Sequence, residues 1–585
     1  MSNLDSSFLA LESRTTHMHV AGLVTFEVGP LRTEDGGIDV GKLRRHIASK
    51  LHLIPRYRMR LAHVPVERHP VWVDDEHFTI EYHVRHTSLP RPGDDAQLMA
   101  LMGRLSSQQL DRGKPLWEMW IVEGLSDDRF ALISKTHHSM IDGISGVDIM
   151  TVLLNLVPDG SVVDAERYVP RPAPSGAELI IREAARRTGR VVSAFGGMRD
   201  LRDDAQAVAT DSIRKLRAMG HSLGSGWLTQ ASETPLNGRV GPNRRFGTLD
   251  MDLAGVKTIK NSLGGSVNDV VLAIVAGGVR HHLTVNHDED VEEVDFRVMA
   301  PVSVRSRHQR GTMGNQVAMW LATLPIAEAD PAARLGAVRR ETDRLKATEQ
   351  ALGAETLVRL SAGAPITLVS LAARLASNVR PFNMTVTNVP GPQFPLYLLG
   401  SRMLATYPLV PLWEGHGAGI AIFSYAGRLH WGFNADWDVL ADLDRFIASV
   451  EHAYEELAAA ATAATSSGAG TGSVDAVKTP RKRPPMGAKK PALSGETATT
   501  EATPAKPSTA GKPAPKSSSA RRRAAKPTAA GTTPADPSPG STPRPGTTTA
   551  KPATRKPKAP EDTAARSKGA AARSRPAKPE TDKQA

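Results

Sequence analysis

After Tyr454 the chain contains no further aromatic residue, and the last 120 residues, 466–585, hold 19 of its 42 prolines. That break limits what can fold. A segment made mostly of Ala, Pro, Thr, Ser, Lys and Arg cannot bury enough apolar surface to offset the entropy of ordering it, so 466–585 reads as a disordered basic tail. The tail carries 24 Lys+Arg against 8 Asp+Glu, a net of +16, whereas the first 465 residues carry 49 against 53, a net of −4. The formal charge of +12 on the whole chain therefore describes the appendix and not the folded part. Cysteine is absent, which excludes a disulfide framework, a thiolate metal site and a thiol nucleophile.

The first 465 residues are long enough for two cores. Strand-like stretches occur at Gly22–Val28, Phe130–Thr136, Phe246–Leu253 and Phe296–Met299, and helical spacing of apolar residues at Gly93–Leu110, Val147–Leu156, Pro331–Ala347 and Ala441–Ala458. This irregular alternation predicts an α/β fold with mixed sheets. YVPRPAPSG (168–176) reads as a linker, followed by basic helical stretches over 178–222. The expected organisation is an N-terminal domain at 1–160, a linker or helical crossover at 161–240, a C-terminal domain at 241–465 and the tail. The longest apolar run, Val270–Val279, has ten residues, about half of the ~20 that a bilayer crossing needs. It reads as a buried core helix. Asp5 and Glu12 interrupt the opening residues, so neither a signal peptide nor a transmembrane helix is expected. The expected location is cytoplasmic, with any membrane or lipid-body contact peripheral.

The chemistry concentrates at residues 130–146, FALISKTHHSMIDGISG. An alternating strand ends in His137 and His138, a short loop carries Asp142 and Gly143, and an apolar helix is expected from about Ile144. Neighbouring residues on a strand point to opposite faces, so one histidine faces the reaction and the other packs. An imidazole near its unperturbed pKa of ~6.5 is suited to taking a proton from a hydroxyl. A helix starting just beyond it would offer amide donors to developing negative charge. His138 and Asp142 alone are too few ligands for a metal, and no metal site is expected.

HHSMIDG resembles the HHxxxDG signature of acyltransferases related to chloramphenicol acetyltransferase and to peptide-synthetase condensation domains. More narrowly, the chain resembles the bacterial wax ester synthase/diacylglycerol acyltransferase family over nearly all of its first 460 residues. The matching strings stand in family order: LDSSFLALESRTTHMHVAG (4–22), IPRYRMRL (54–61), LPRPG (89–93), PLWEMWIVEGL (115–125), HHSMIDG (137–143), TPLNGRVGPNRRF (234–246), SVNDVVLA (266–273), PVSVR (301–305), GN (314–315) and NVPGP (388–392).

The resemblance implies a two-domain chloramphenicol-acetyltransferase-like architecture with an interdomain tunnel. It implies His138 as general base, His137 as its supporting motif partner, and Gly143 as a motif residue. Asp142 would hold the loop, with Arg305 as its partner, and Asn268 would be either a polar group near the substrate or part of a helix cap. Pro115, Leu116 and Trp117 would pack, and Asn388–Pro392 would form a turn. His17, His19, His281 and His282 have no evident catalytic partner and read as structural or surface residues.

The implied reaction transfers an acyl group from acyl-CoA, as substrate and with no cofactor, to diacylglycerol, with long-chain alcohols as alternative acceptors and wax esters as product. Two other classes remain: carrier-dependent condensation, and a lipid-binding paralogue with little or no turnover. Basic clusters in the tail such as RKRPP (481–485) and RRR (521–523) would bind anionic lipid, or nucleic acid without sequence preference, since no aromatic residue is available for base stacking.

Overall fold

Thr136, Ser134, Leu132 and their alternates, Lys135, Ile133 and Ala131, are buried on both faces of one strand, and the first sheet is built around it. In the computed structural model residues 1, 3–65, 68–140, 149–185, 229–303, 317–347 and 380–469 are described. The early strands are β1 (His19–Glu27), β2 (Met59–His63), β3 (Pro70–Asp74), β4 (Val84–Ser88), β5 (Trp117–Glu123) and β6 (Arg129–His137). The later ones are β7 (Arg244–Asp252), β8 (Arg297–Ser303), β9 (Val317–Thr323), β10 (Met384–Pro390), β11 (Tyr397–Leu398), β12 (Ser401–Leu409), β13 (Ala418–Tyr425) and β14 (Arg428–Asp436). Two six-stranded mixed sheets result, with orders β11-β12-β1-β6-β5-β4 and β7-β14-β13-β10-β8-β9, and β2 pairs separately with β3.

The first sheet recruits β11 and β12 from residues that composition assigns to the 241–465 half. β12 runs antiparallel to β1 with Ala21 opposite Leu409, and β1 runs antiparallel to β6 with His19 opposite His137. No local signal announces a pairing between strands separated by nearly 400 residues. Where the two sheets meet, Gly432 on β14 lies so close to β12 that a Cβ there would collide with the Pro408 carbonyl oxygen.

The main helices are α1 (Asn3–Leu11), α2 (Val40–Lys50), α3 (Asp95–Ser106), α4 (Leu253–Leu263), α5 (Val267–His281), α6 (Pro331–Ala347) and α7 (Leu443–Ala469). Their starts follow from capping chemistry. Asp39, Asp94 and Asp252 accept backbone N–H bonds at the first turns of α2, α3 and α4, and Ser266 and Asp269 form a reciprocal capping box on α5. Every residue of Val270–Val279 is buried, as an all-round apolar helix requires. It packs among α4, α6 and α7.

No single helix among the described residues is long and apolar enough to cross a membrane, and the pair formed by Leu253–Leu263 and Val267–Asn286 is bent by 97°. α7 runs to Ala469, four residues past the boundary suggested by composition. The tail beyond it lies outside the described residues, as do 186–228; of the basic stretch expected at 178–222, the part described is helical through 185. Asn388, Val389 and Pro390 are not in a turn. They finish β10, parallel to β13, and the chain leaves the strand at Gly391.

A methyl group at Gly432 must push two strands apart. Gly432→Ala should cost about 1–3 kcal/mol of stability in urea unfolding. Gly22→Ala, with nothing within 4 Å of the added carbon, should stay within about 0.5 kcal/mol. Equal effects would remove the close sheet contact from the account.

Candidate functional site

His137 is the last residue of β6 and His138 the first of the 3-10 turn His138–Met140, so the strand end separates the two imidazoles. The main chain of the pair is pinned twice: the His137 N–H donates to the Leu116 carbonyl at 2.9 Å and the His138 N–H to the Met18 carbonyl at 2.8 Å. Leu116 is fixed in turn by the packing of its neighbour. Trp117 is buried, donates its indole N–H to the Tyr57 carbonyl at 2.8 Å, and stacks on His83. The PLW residues therefore pack, and through Leu116 they position the histidine strand.

His137 turns into a sealed polar cluster. The Ser139 backbone N–H donates to its Nδ1 at 3.1 Å, with Ser139 Oγ at 2.7 Å from the same nitrogen. An accepting Nδ1 leaves the proton on Nε2, which lies 3.7 Å from Glu12 Oε1. His19, the strand neighbour of His137, brings its Nε2 to 3.2 Å from the same oxygen. Burial alone would raise the Glu12 carboxyl, but the two facing imidazoles hold it well below the usual carboxylate range. Burial pushes His19 down to about 3, with Glu12 opposing only in part. His19 is therefore neutral, and Arg112 brings a cation to Glu12, at 2.5 Å (Nη2) and 3.1 Å (Nε) from Oε2.

His138 faces a different environment. Its ring stacks on Phe8 of α1, centroids 3.9 Å apart and planes 24° from parallel, and its Nδ1 is buried with no hydrogen-bond partner among the described residues. Burial pushes its pKa down to about 4, with its own carbonyl raising it and His137 lowering it further. The sequence-based value near 6.5 is therefore corrected downward. The imidazole is neutral at physiological pH, with its lone pair free to accept a proton, and the imidazolium it forms is a strong acid able to return that proton.

Asp142, Gly143 and Arg305 lie outside the described residues, as does the start of the helix expected from Ile144. Asn268 stands half-buried at the second position of α5 and makes no side-chain hydrogen bond among the described residues, while its neighbour Asp269 completes the cap. Asp269 Oδ2 accepts the Ser266 N–H at 2.7 Å, and Oδ1 accepts the Thr342 hydroxyl at 2.8 Å. His17 is held by the Ser107 carbonyl at 3.1 Å.

The residues that sequence reasoning left without a role are Phe8, Glu12 and Arg112. A signal existed for the first two: they stand four apart at the end of α1, hence on one face. Arg112 carries none.

Replacing the anion by a neutral isostere leaves Arg112 without its carboxylate and the His137 N–H facing an amide. Glu12→Gln should lower stability by about 1–3 kcal/mol, read by urea unfolding. A change below about 0.5 kcal/mol would mean that the cluster does not hold the loop.

Residues 1–271 match the wax ester synthase/diacylglycerol acyltransferase catalytic domain, and residues 313–458 match the C-terminal domain of the same family. A putative diacylglycerol O-acyltransferase of Mycobacterium tuberculosis is 34% identical over 498 residues, covering 79% of this chain and 97% of the relative. A probable diacylglycerol O-acyltransferase of the same organism is 31% identical over 466 residues, covering 78% and 96%. The solved structure of a wax ester synthase/diacylglycerol acyltransferase from Marinobacter aquaeolei VT8 aligns with a TM-score of 0.57 at 26% identity, covering 78% of this chain and 98% of that one. The mixed α/β fold is thus chloramphenicol-acetyltransferase-like. With both of the family's domains matched in order and the relatives covered almost end to end, the chain belongs to the wax ester synthase/diacylglycerol acyltransferase family and is an acyltransferase.

Proposed function

We propose that this enzyme esterifies diacylglycerol with the acyl group of acyl-CoA, making triacylglycerol by direct transfer, with His138 as general base. The observation that carries the reading is the placement of His138, whose imidazole stacks on Phe8 in the turn after β6, apart from the Glu12 cluster that fixes its neighbour, where burial pushes its pKa down to about 4. His138 takes the proton of the acceptor hydroxyl as its oxygen attacks the thioester carbonyl. The tetrahedral oxyanion collapses, the C–S bond breaks, and the imidazolium returns the proton to the CoA thiolate. Diacylglycerol is favoured as acceptor by the names of the Mycobacterium tuberculosis relatives. Long-chain alcohols are the second acceptor class, from the name of the Marinobacter aquaeolei enzyme.

An acyl-enzyme on serine is disfavoured. Ser139 lies in a triad-like row with His137 and Glu12, but it has no exposed surface, and 3.7 Å between His137 and Glu12 is too long for a hydrogen bond. The row holds the loop.

Within this reading Asp142 and Arg305 keep the loop in shape, Gly143 completes the motif, and Asn268 contacts the substrate. Acyl-CoA is consumed as substrate and no cofactor takes part. The tail adds net charge of +16 and draws the enzyme to an anionic surface, either the cytoplasmic face of a membrane or a lipid body, at ~1 kcal/mol per basic residue near the headgroups. The same charge would also hold nucleic acid without sequence preference.

The test is release of CoA from palmitoyl-CoA by purified protein with diacylglycerol, hexadecanol or no acceptor. Diacylglycerol-dependent release is expected, falling by about 10²–10⁴ in a folded His138→Ala variant. Turnover retained in that variant would remove His138 from the mechanism. A preference for hexadecanol would assign wax ester synthesis, and no release with any acceptor would leave the lipid-binding reading.

A further inference from the structure

The end of α5 meets the start of α7 around three side chains that the acyl-transfer reaction does not use. Beyond His281 the helix loosens into a π-helical turn, His282–Asn286. That wider turn sets His282 and His287 side by side, with their Nε2 atoms 3.1 Å apart. Asp442, the residue before α7, brings its Oδ2 to 3.5 Å from His287 Nε2 and 4.0 Å from His282 Nε2.

We propose that His282, His287 and Asp442 form a binding site for a divalent transition-metal ion of the zinc type, which fastens the π-turn after α5 to the first turn of α7. Three ligand atoms at separations of 3.1, 3.5 and 4.0 Å share an equidistant point about 2.1 Å from each, within the Zn–N and Zn–O range of about 2.0–2.2 Å. Two imidazole nitrogens and one carboxylate oxygen suit zinc; calcium and magnesium take sets made of oxygens.

The surrounding groups fit such a site. The side-chain amide of Asn286 lies 3.0 Å from His282 Nδ1 and reaches Ser449 Oγ of α7 at 3.4 Å. The atom facing the ring is the amide nitrogen Nδ2; an ion would bind with the amide turned over, so that its oxygen accepts the Nδ1 proton and the Nε2 lone pair is left for the metal. Metal-bound histidines are commonly oriented in this way. Burial is graded across the three ligands: His282 is fully buried, Asp442 is half-buried, and His287 stands at the exposed rim. An ion can therefore enter past His287 and keep a water as its fourth ligand. The other account of the 3.1 Å contact is a hydrogen bond between two neutral imidazoles, with Asp442 a bystander.

The histidine and aspartate lie far apart in sequence, so no ligand spacing such as that of a zinc finger is visible along the chain. The expectation of no metal rested on HHSMIDG and on the lack of any further His/Asp cluster at metal spacing along the chain.

The test uses the full-length protein with any affinity tag removed. Residues 470–585 contain neither histidine nor cysteine and do not compete for the ion. Zinc is titrated by calorimetry and cobalt by its visible absorption, for wild type, His287→Ala and Asp442→Asn, with circular dichroism confirming that each variant is folded. Saturable binding of one equivalent is expected in wild type, with a rise in Tm on adding zinc. Each variant should bind at least about tenfold more weakly. No saturable equivalent in wild type, or wild-type affinity in both variants, would overturn the site and leave the histidine pair as a hydrogen bond.

Discussion

The histidine loop depends on one buried carboxylate. Glu12 lies where α1 ends, β1 begins and β6 finishes, and it is almost wholly excluded from solvent together with His137. A charge in such a place is costly unless it is matched. Arg112 supplies a cation, and His19 and His137 turn their ring edges toward Oε1 at 3.2 and 3.7 Å, the latter too long for a hydrogen bond. Because Glu12 follows directly on α1, meeting its needs also fixes that helix, and with it the Phe8 ring that covers His138. Holding an anion beside one histidine thus creates a dry, uncharged setting for the other.

The segment after Glu12 is stitched to the second sheet. The Arg244 guanidinium donates to the Thr15 carbonyl and pairs with the fully buried Asp436 at 3.3 Å, while the Thr16 hydroxyl donates to Glu414 at 3.1 Å. Arg244 opens β7 and Asp436 closes β14 opposite it, so the ion pair fixes the guanidinium at the edge of the second sheet, and its bond to Thr15 ties that edge to the segment leading into β1. Breaking the ion pair would cost about 3–5 kcal/mol. From the other side, Lys135 on β6 donates to the carbonyls of Leu105 and Gln108 at the end of α3 and pairs with Glu118 on β5. It neutralises a helix C-terminus where no water can do so. The histidine end of the strand is therefore held by buried charges, Lys135 with Glu118 on one side and Glu12 beside His137 on the other.

Much of this was legible in the sequence because it is local. The strand at the end of which the histidines stand, the all-apolar α5 and the composition break after Tyr454 each declare themselves within a few residues, although β6 is buried on both faces and not on alternate ones. The strand–HH–turn junction is equally local, which is why His137 and His138 could be named before the fold. What stayed hidden is long-range. The pairing of β12 with β1, the approach of Gly432 to Pro408, the partnership of Arg112 with Glu12 and that of Asp442 with His287 join residues with no shared pattern. The depressed pKa of His138 was hidden for the same reason, since it comes first from burial, to which chain distant in sequence contributes, and only further from the adjacent His137.

The central claim is that His138 acts as a base that burial keeps neutral across the physiological range. The most direct measurement is the pH dependence of kcat/KM for the wild-type enzyme between pH 5.5 and 8, which reports the ionisation of the free enzyme. A base must be unprotonated to act, so activity falls as pH drops through its pKa. With that pKa pushed down to about 4, the profile should be flat over the whole window. A half-fall near pH 6.5 would contradict the account, because it would mean that the catalytic imidazole titrates as though in water.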